Sequence, residues 1–235
     1  LFLILTLSTG CSQEIVSSKY AESINSNDLE DLLSVYSSDG FEGRQTGTKG
    51  DRTAANFLRD FYISNKIGPA LNTIDYFQPY QLNLPGKMYT FNYSFPSTLR
   101  GYDRYAQGDN FVDTQNVASV IEGEIYPESY LIITGHLDHV GINGDEVYNG
   151  ADDNGSGTVS ILEIAQAFQE AVEDGVRPKR SVVFLHVSGE EEGLLGSEYY
   201  VNNSLYPLED TFATLNLDMI GRTCLLYTSD AADDL

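Results

Sequence analysis

The chain has 235 residues, 41% of them hydrophobic, which is enough for one sizeable α/β domain. Asp and Glu number 35 against 13 Lys and Arg, a formal net charge of −22, and no basic cluster is longer than Arg177-Pro178-Lys179-Arg180, so a nucleic-acid partner is excluded on charge. The acidity does not by itself select a cationic substrate, because it is common on extracytoplasmic domains.

The first ten residues, LFLILTLSTG, form an apolar run that stops at Cys11, and no Met opens the chain. The run reads as the tail of a secretory signal ending in the lipobox-like Leu7-Ser8-Thr9-Gly10-Cys11. Residues 1–11 are therefore expected to be a signal remnant with Cys11 as a lipidated N-terminus. That places the protein outside the cytoplasm, as a bacterial lipoprotein of the periplasm or cell surface, or as a secreted protein. Membrane contact is expected only through this anchor. The rival readings are an ordinary signal peptide cleaved nearby and a buried N-terminal segment.

Residues 12–26 are polar and Ser-rich, as expected of a tether. Asn27 to Glu30 reads as a capping box for a helix with Leu29, Leu32, Leu33 and Tyr36 on one face. The glycine-punctuated loop Asp39–Thr48 follows, and Arg44 within it is read as structural. Thr48 to Asp51 caps a second helix, with Ala54, Phe57, Leu58 and Phe61 inward and Gly68-Pro69 closing it. Tyr76 to Phe95 alternates in two tyrosine-rich runs separated by Pro85-Gly86, the pattern of a hairpin. Phe95 to Gln115 is expected to be loop, and Asn116–Gly123 a strand. One domain is expected over 27–223, with no internal repeat and no membrane span after the leader.

The chemistry-bearing stretch begins at Tyr130. The apolar run Tyr130–Thr134 reads as a buried strand and stops at Gly135-His136-Leu137-Asp138. Asp152 and Asp153 follow, then the turn Asn154-Gly155-Ser156-Gly157 and a helix with Val159, Leu162, Ile164, Ala165 and Phe168 on one face. Ser181–Val187 is a second buried-strand pattern leading to Gly189-Glu190-Glu191-Glu192-Gly193, and Thr211–Leu217 a third leading to Asp218. Open α/β sheets gather their sites beyond the carboxyl ends of the strands. If the three strands are parallel, His136, Asp152, Glu190, Glu191 and Asp218 meet in one patch.

One imidazole and four carboxylates without a matching cation repel one another in a partly dry pocket. Divalent metal relieves this: mixed His and carboxylate ligation suits zinc with an open water position, and several carboxylates suit two metals sharing a ligand. A carboxylate left over can take a proton from water at the site. His186, on a buried strand, is read as a core histidine, and His139 as a supporting or surface residue. Asp152, Asp153 and the Glu run would each serve equally well, taken singly, as helix or loop caps.

GHLDH at 135–139, NGADDNGSG at 149–157, EEEGLLGS at 190–197 and NLDMIG at 216–221 together resemble the co-catalytic zinc aminopeptidase family, which also holds glutamate carboxypeptidases and glutaminyl cyclases. The loop at Glu42-Gly43-Arg44 resembles that family's opening segment. The resemblance runs from about Asp39 to Arg222. It implies a three-layer α/β sandwich whose central sheet is mixed and mostly parallel and is flanked by helices. It also implies two zinc ions. By the same resemblance His136 and Asp218 ligate one metal, Asp152 bridges both, Glu191 binds the second, Glu190 is the general base, and Asp138 is the carboxylate that orients His136. Glu192 is a bystander, and the Asp152–Asp153 bond is the candidate cis peptide.

Residues 224–235, beginning CLLYTSDAADD, resemble the translated end of a transposase sequencing adapter, so the native reading is expected to end near Thr223. On that expectation Cys224 and the acids Asp230, Asp233 and Asp234 are set aside, leaving one cysteine and no disulfide framework. The sheet is then incomplete at its C-terminal end and the family's last His ligand lies downstream. The alternative is a genuine acidic tail. The expected activity of the parent protein is zinc-dependent removal of N-terminal residues from peptides, the fragment itself being inactive. The alternatives are a glutaminyl-cyclase-like acyltransferase or a carboxypeptidase on the same fold, and a non-catalytic binding domain.

Overall fold

The computed structural model describes residues 19–83 and 111–222. The expected lipobox, the second half of the expected hairpin and the adapter-like tail lie outside these residues. Helix α1 (Ser26–Tyr36) starts slightly before the expected box, because the Asn25 side chain accepts from the amides of Asn27 and Asp28. Just before it, Lys19 and Tyr20 reach Asp174, so the end of the expected tether is laid against the domain.

A short helical stretch (Asp39–Arg44) leads to α2 (Lys49–Ser64), where Thr48 caps the Asp51 amide as expected. Then come β1 (Gly68–Pro69), β2 (Phe77–Asn83), β3 (Phe111–Ile121) and β4 (Tyr126–His136). The hairpin β5 (Ile142–Asn143) and β6 (Glu146–Val147) precedes a tight turn at Ala151–Ser156, α3 (Gly157–Glu173) and β7 (Arg180–Val187). Helix α4 (Leu195–Asn202) and β8 (Thr211–Asn216) close the described chain. Residues 111–115, expected as loop, are strand: β2 pairs with β3 antiparallel from Phe77↔Val117 to Asn83↔Phe111, so tertiary pairing extends the strand beyond its apolar part.

The sheet is mixed, with strand order β1-β3-β7-β4-β8 and β2 alongside β3. β4 runs parallel to both β7 and β8. β7 is buried on both faces, and its alternation divides the core into two layers. Val182 and Phe184 share one core layer with Tyr36 of α1, Leu58 and Tyr62 of α2, and Ile161 and Leu162 of α3. Val183, Leu185 and Val187 pack on the other face against Tyr200, Leu205 and Tyr206. Helices thus cover both faces, the three-layer arrangement expected. β8 pairs with β4 alone among the described residues and exposes Phe212 and Leu215. Among those residues no helix is long and apolar enough to cross a membrane.

Register then sets the site. His136 is level with Val187, and Thr134 with Asn216, so two further residues along the β8 chain bring Asp218 to the height of His136.

Candidate metal centre

His136 sits at the end of β4 and is 3% exposed. Its Nδ1 faces the backbone oxygen of Asp138 at 3.0 Å, and Thr158 donates to its own carbonyl at 2.7 Å. Its Nε2 points into the site, 3.0 Å from Asp153 Oδ1, 3.6 Å from Asp218 Oδ1 and 3.9 Å from Glu190 Oε2. The Asp138 carboxylate, expected to orient His136, stands 3.7 Å from Nδ1, a charged neighbour rather than a hydrogen-bond partner. It instead accepts from Thr46 Oγ1 at 2.8 Å, from the Glu190 amide at 3.1 Å and from the Glu191 amide at 3.4 Å. Asp138 therefore fixes the Glu-bearing loop, and the orienting contact on His136 comes from its backbone carbonyl.

Next to the expected bridging residue Asp152, it is the neighbouring Asp153 whose carboxylate faces the other candidate ligands. Asp153, rather than Asp152, falls into two groups of ligand-type atoms, one with His136 and Asp218 and one with His139 and Glu191. Asp152 turns the other way: its Oδ1 accepts from the Gly221 amide at 3.0 Å, and Arg222 lies 3.3 Å from its Oδ2. The reason is local. Within the turn Asp153 (φ −103°, ψ 100°) and Asn154 (φ −117°, ψ 43°) leave helical geometry, which sends adjacent side chains to opposite sides. The cis peptide is likewise one bond later than expected, at Asp153–Asn154. Gly150, at φ +53°, has no Cβ to strike the Asp153 carbonyl and the His139 ring, both of which pass against it.

The three acids of the Glu run separate in space. Glu190 faces His136, Glu191 Oε1 lies 2.6 Å from His139 Nδ1, and Glu192 belongs to neither group. His139, read from the sequence as a supporting or surface residue, lies against Glu191, 52 positions away, and no local pattern announces that contact. His186 is a core residue as expected, fully buried with Nε2 2.7 Å from Tyr62 Oη, and burial pushes its pKa down to about 3.

The electrostatics are those of a crowded acidic pocket. Burial would depress the His136 pKa, but Asp138, Glu190 and Asp218 outweigh it and raise it to about 9. Burial raises Asp153, with Glu191 adding to the effect against the pull of His136 and His139. Burial also raises Glu190, with Asp138, Glu191 and Asp218 adding to it against His136. Arg44, which feels the charges of Asp138, Asp153 and Glu191, is fully buried and gives its N–H groups to the carbonyls of Leu137, Tyr36, Asn149 and Gly150. Two mixed imidazole and carboxylate groups sharing one aspartate fit a pair of divalent cations, whose charge would relieve the mutual repulsion.

Peptidase family M28 has a family model that matches residues 116–233, half of the chain. Over 108 residues the chain is 33% identical to "Aminopeptidase NAALADL1" of Mus musculus, a match taking in 45% of this chain and 14% of the relative. Over 115 residues it is 30% identical to "Probable glutamate carboxypeptidase VP8" of Zea mays, taking in 48% of this chain and 15% of that protein. The chain thus spans a small part of the length of the curated relatives it matches. Among solved structures, an aminopeptidase from Aneurinibacillus sp. strain AM-1 is similar with a TM-score of 0.61 at 14% identity, covering 86% of this chain and 72% of that one. That likeness bears on the fold alone.

Proposed function

The chain belongs to peptidase family M28, and from that premise we propose that it carries the hydrolytic zinc centre of an exopeptidase, an aminopeptidase removing N-terminal residues from peptides. The observation that carries the reading is Asp153, shared by two groups of ligand atoms, with Glu190 beside them on the His136 side. His136 and Asp218 would hold one zinc, Glu191 a second, and Asp153 both. When bound, zinc polarises a carbonyl and lowers the pKa of water at the site. The residues do the rest. Glu190 reaches the space in front of His136, where it takes a proton from the attacking water and returns it to the leaving amine. Asp138 holds the backbone amides of Glu190 and Glu191 and so sets where both carboxylates stand.

The choice of aminopeptidase over carboxypeptidase rests on charge. A terminal carboxylate needs a cation. Among the described residues Arg44 is committed to four carbonyls, and Arg222 lies against Asp152. An acidic pocket suits a free α-ammonium group.

The test is to express the gene encoding residues 27–222 from its own start to its own stop. Zinc content and hydrolysis of aminoacyl-arylamides are then measured for wild type beside Glu190→Gln. Two zincs per chain, with hydrolysis lost by about 10²–10⁴-fold in the variant while zinc stays, are expected. Release of C-terminal glutamate, or cyclisation of an N-terminal glutamine peptide, in place of arylamide hydrolysis would overturn the aminopeptidase assignment.

A further inference from the structure

An acid in the first turn of a helix commonly turns back to close that helix. Asp51 lies in the first turn of α2, after the Thr48 cap, yet only one of its bonds stays at that end. Its Oδ2 accepts from the Gly47 amide at 2.9 Å and from Thr114 Oγ1 of β3 at 2.7 Å, while its Oδ1 accepts from Ser188 Oγ at 2.9 Å. Asp51, Thr114 and Ser188 are all buried, where such bonds are stronger than in water.

Ser188 follows β7 directly and stands at the root of the loop that carries Glu190 and Glu191. Farther along that loop the amides of Glu190 and Glu191 donate to Asp138, which also accepts from Thr46 Oγ1. Thr46 precedes the Gly47 whose amide Asp51 holds. Two buried carboxylates thus close a ring: from Asp51 to Ser188, along the chain to Glu190, across to Asp138, on to Thr46 and Gly47, and back to Asp51. Within it, Glu190 extends its side chain to the site, Oε2 lying 3.9 Å from His136 Nε2.

We infer that Asp51 is a positioning residue for Glu190, fixing through Ser188 on one side and the 46–47 segment on the other the backbone from which the Glu190 carboxylate reaches the space in front of His136. The inference rests on the proposed role of Glu190 as general base and adds what sets that base in place.

The rival account is that Asp51 serves stability alone, because the Ser188 amide also donates to Asn116 Oδ1 at 3.1 Å and its carbonyl accepts from the Tyr80 hydroxyl at 2.6 Å. Ser188→Ala removes the hydroxyl and keeps both of those bonds. Asp51→Ala removes both arms at once. Each change is made in the wild-type and the Glu190→Gln background of the zinc-loaded enzyme, expressed from its own start to its own stop. Circular dichroism, zinc content, and kcat and KM for an aminoacyl-arylamide are measured.

In the wild-type background Ser188→Ala should lower kcat on the order of 10- to 100-fold, the cost of a misplacement of about 1 Å, with KM and zinc content unchanged. In the Glu190→Gln background the same change should cost little more, because a residue acting through Glu190 has nothing left to position. Equal falls in the two backgrounds, or an unchanged kcat in folded Ser188→Ala, would overturn the inference and leave the zinc centre standing. Loss of zinc in Ser188→Ala would overturn it too, by showing that the hydroxyl serves Glu191 instead. Ser188→Ala decides alone where Asp51→Ala does not fold. Full activity in Glu190→Gln would remove the general base itself, and the inference with it.

Discussion

The Asn154 side chain donates from Nδ2 to the carbonyl of Leu217 at 2.9 Å, and its Oδ1 accepts from the amides of Gly157 and Met219 at 3.1 and 3.2 Å. One buried amide thus ties the start of α3 to the turn that carries Asp218. Ser156 takes the Ile220 amide and Asp152 the Gly221 amide, so alternate residues of the 152–156 turn clamp the backbone beyond β8.

Asn154→Ala removes all three bonds and strands a carbonyl and two amides. The expected cost is about 2–4 kcal/mol in urea unfolding, since unmade buried bonds each cost about 1–3 kcal/mol and some are recovered by water. Zinc affinity should fall chiefly at the position served by Asp218, because that residue's loop is the one set loose. Unchanged stability would mean the clamp contributes nothing.

Exchange of the two neighbouring acids makes a sharper comparison. Asp153→Asn should cost both zinc equivalents, because both groups of ligand atoms include this carboxylate. Asp152→Asn should keep the metal stoichiometry, as its Oδ1 can still accept from the Gly221 amide. Elemental analysis after dialysis decides between them, and equal losses in the two variants would return the shared role to an open choice.

That comparison also marks how far the sequence could be read. Strands β4, β7 and β8 were legible because each is a short apolar run ending at a Gly or acid; their parallel pairing was a condition of the reading, and the structure meets it. The register within Asp152-Asp153 was not legible. Adjacent residues of the same type carry no local signal of which one points inward, and only the non-helical backbone at Asp153 and Asn154 decides it. The partner of His139 was not legible for a different reason, since Glu191 is brought to it by the parallel pairing of β4 and β7 rather than by proximity in the chain. Strand β3 was read short because the polar run Asp113-Thr114-Gln115-Asn116 breaks its apolar pattern; it is strand because β2 pairs with it.

Asp51 predicts a pH dependence. It is fully buried behind the Glu-bearing loop and accepts from the Gly47 amide, Thr114 Oγ1 and Ser188 Oγ. Burial raises its pKa from 3.8 to about 7, against the lowering effect of Thr114, Gly47 and Ser188, while the charge of Asp138 adds to the rise. The native state therefore binds a proton that the unfolded chain has already released. Its stabilising effect is complete below about pH 4 and is lost as pH rises to about 7, on the order of 4 kcal/mol. Asp51→Asn should flatten this part of the curve, leaving the smaller slopes of other buried acids. Parallel wild-type and variant curves of urea midpoint between pH 4 and 8 would show that Asp51 stays charged throughout.

Arg44 is the last case, and the one in which burial and charge pull against each other. The side chain is fully buried and stacks on Tyr36 with its guanidinium 4.5 Å from the ring centroid, yet its four hydrogen bonds go to neutral carbonyls. Burial lowers its pKa, and Tyr36, Asp138, Asp153 and Glu191 oppose that fall. The cation is thus an organiser: it joins the Leu137 carbonyl beside His136 to the Asn149 and Gly150 carbonyls before the 152–156 turn, fixing the distance between the two stretches that bear the ligands. Lys cannot reproduce the planar fork that reaches four acceptors. Arg44→Lys should therefore cost more than about 2 kcal/mol of stability, with Arg44→Met no better, since the abandoned carbonyls dominate either way. A variant that keeps its urea midpoint and both zinc equivalents would show that the 137 and 149–150 segments hold their places without the guanidinium.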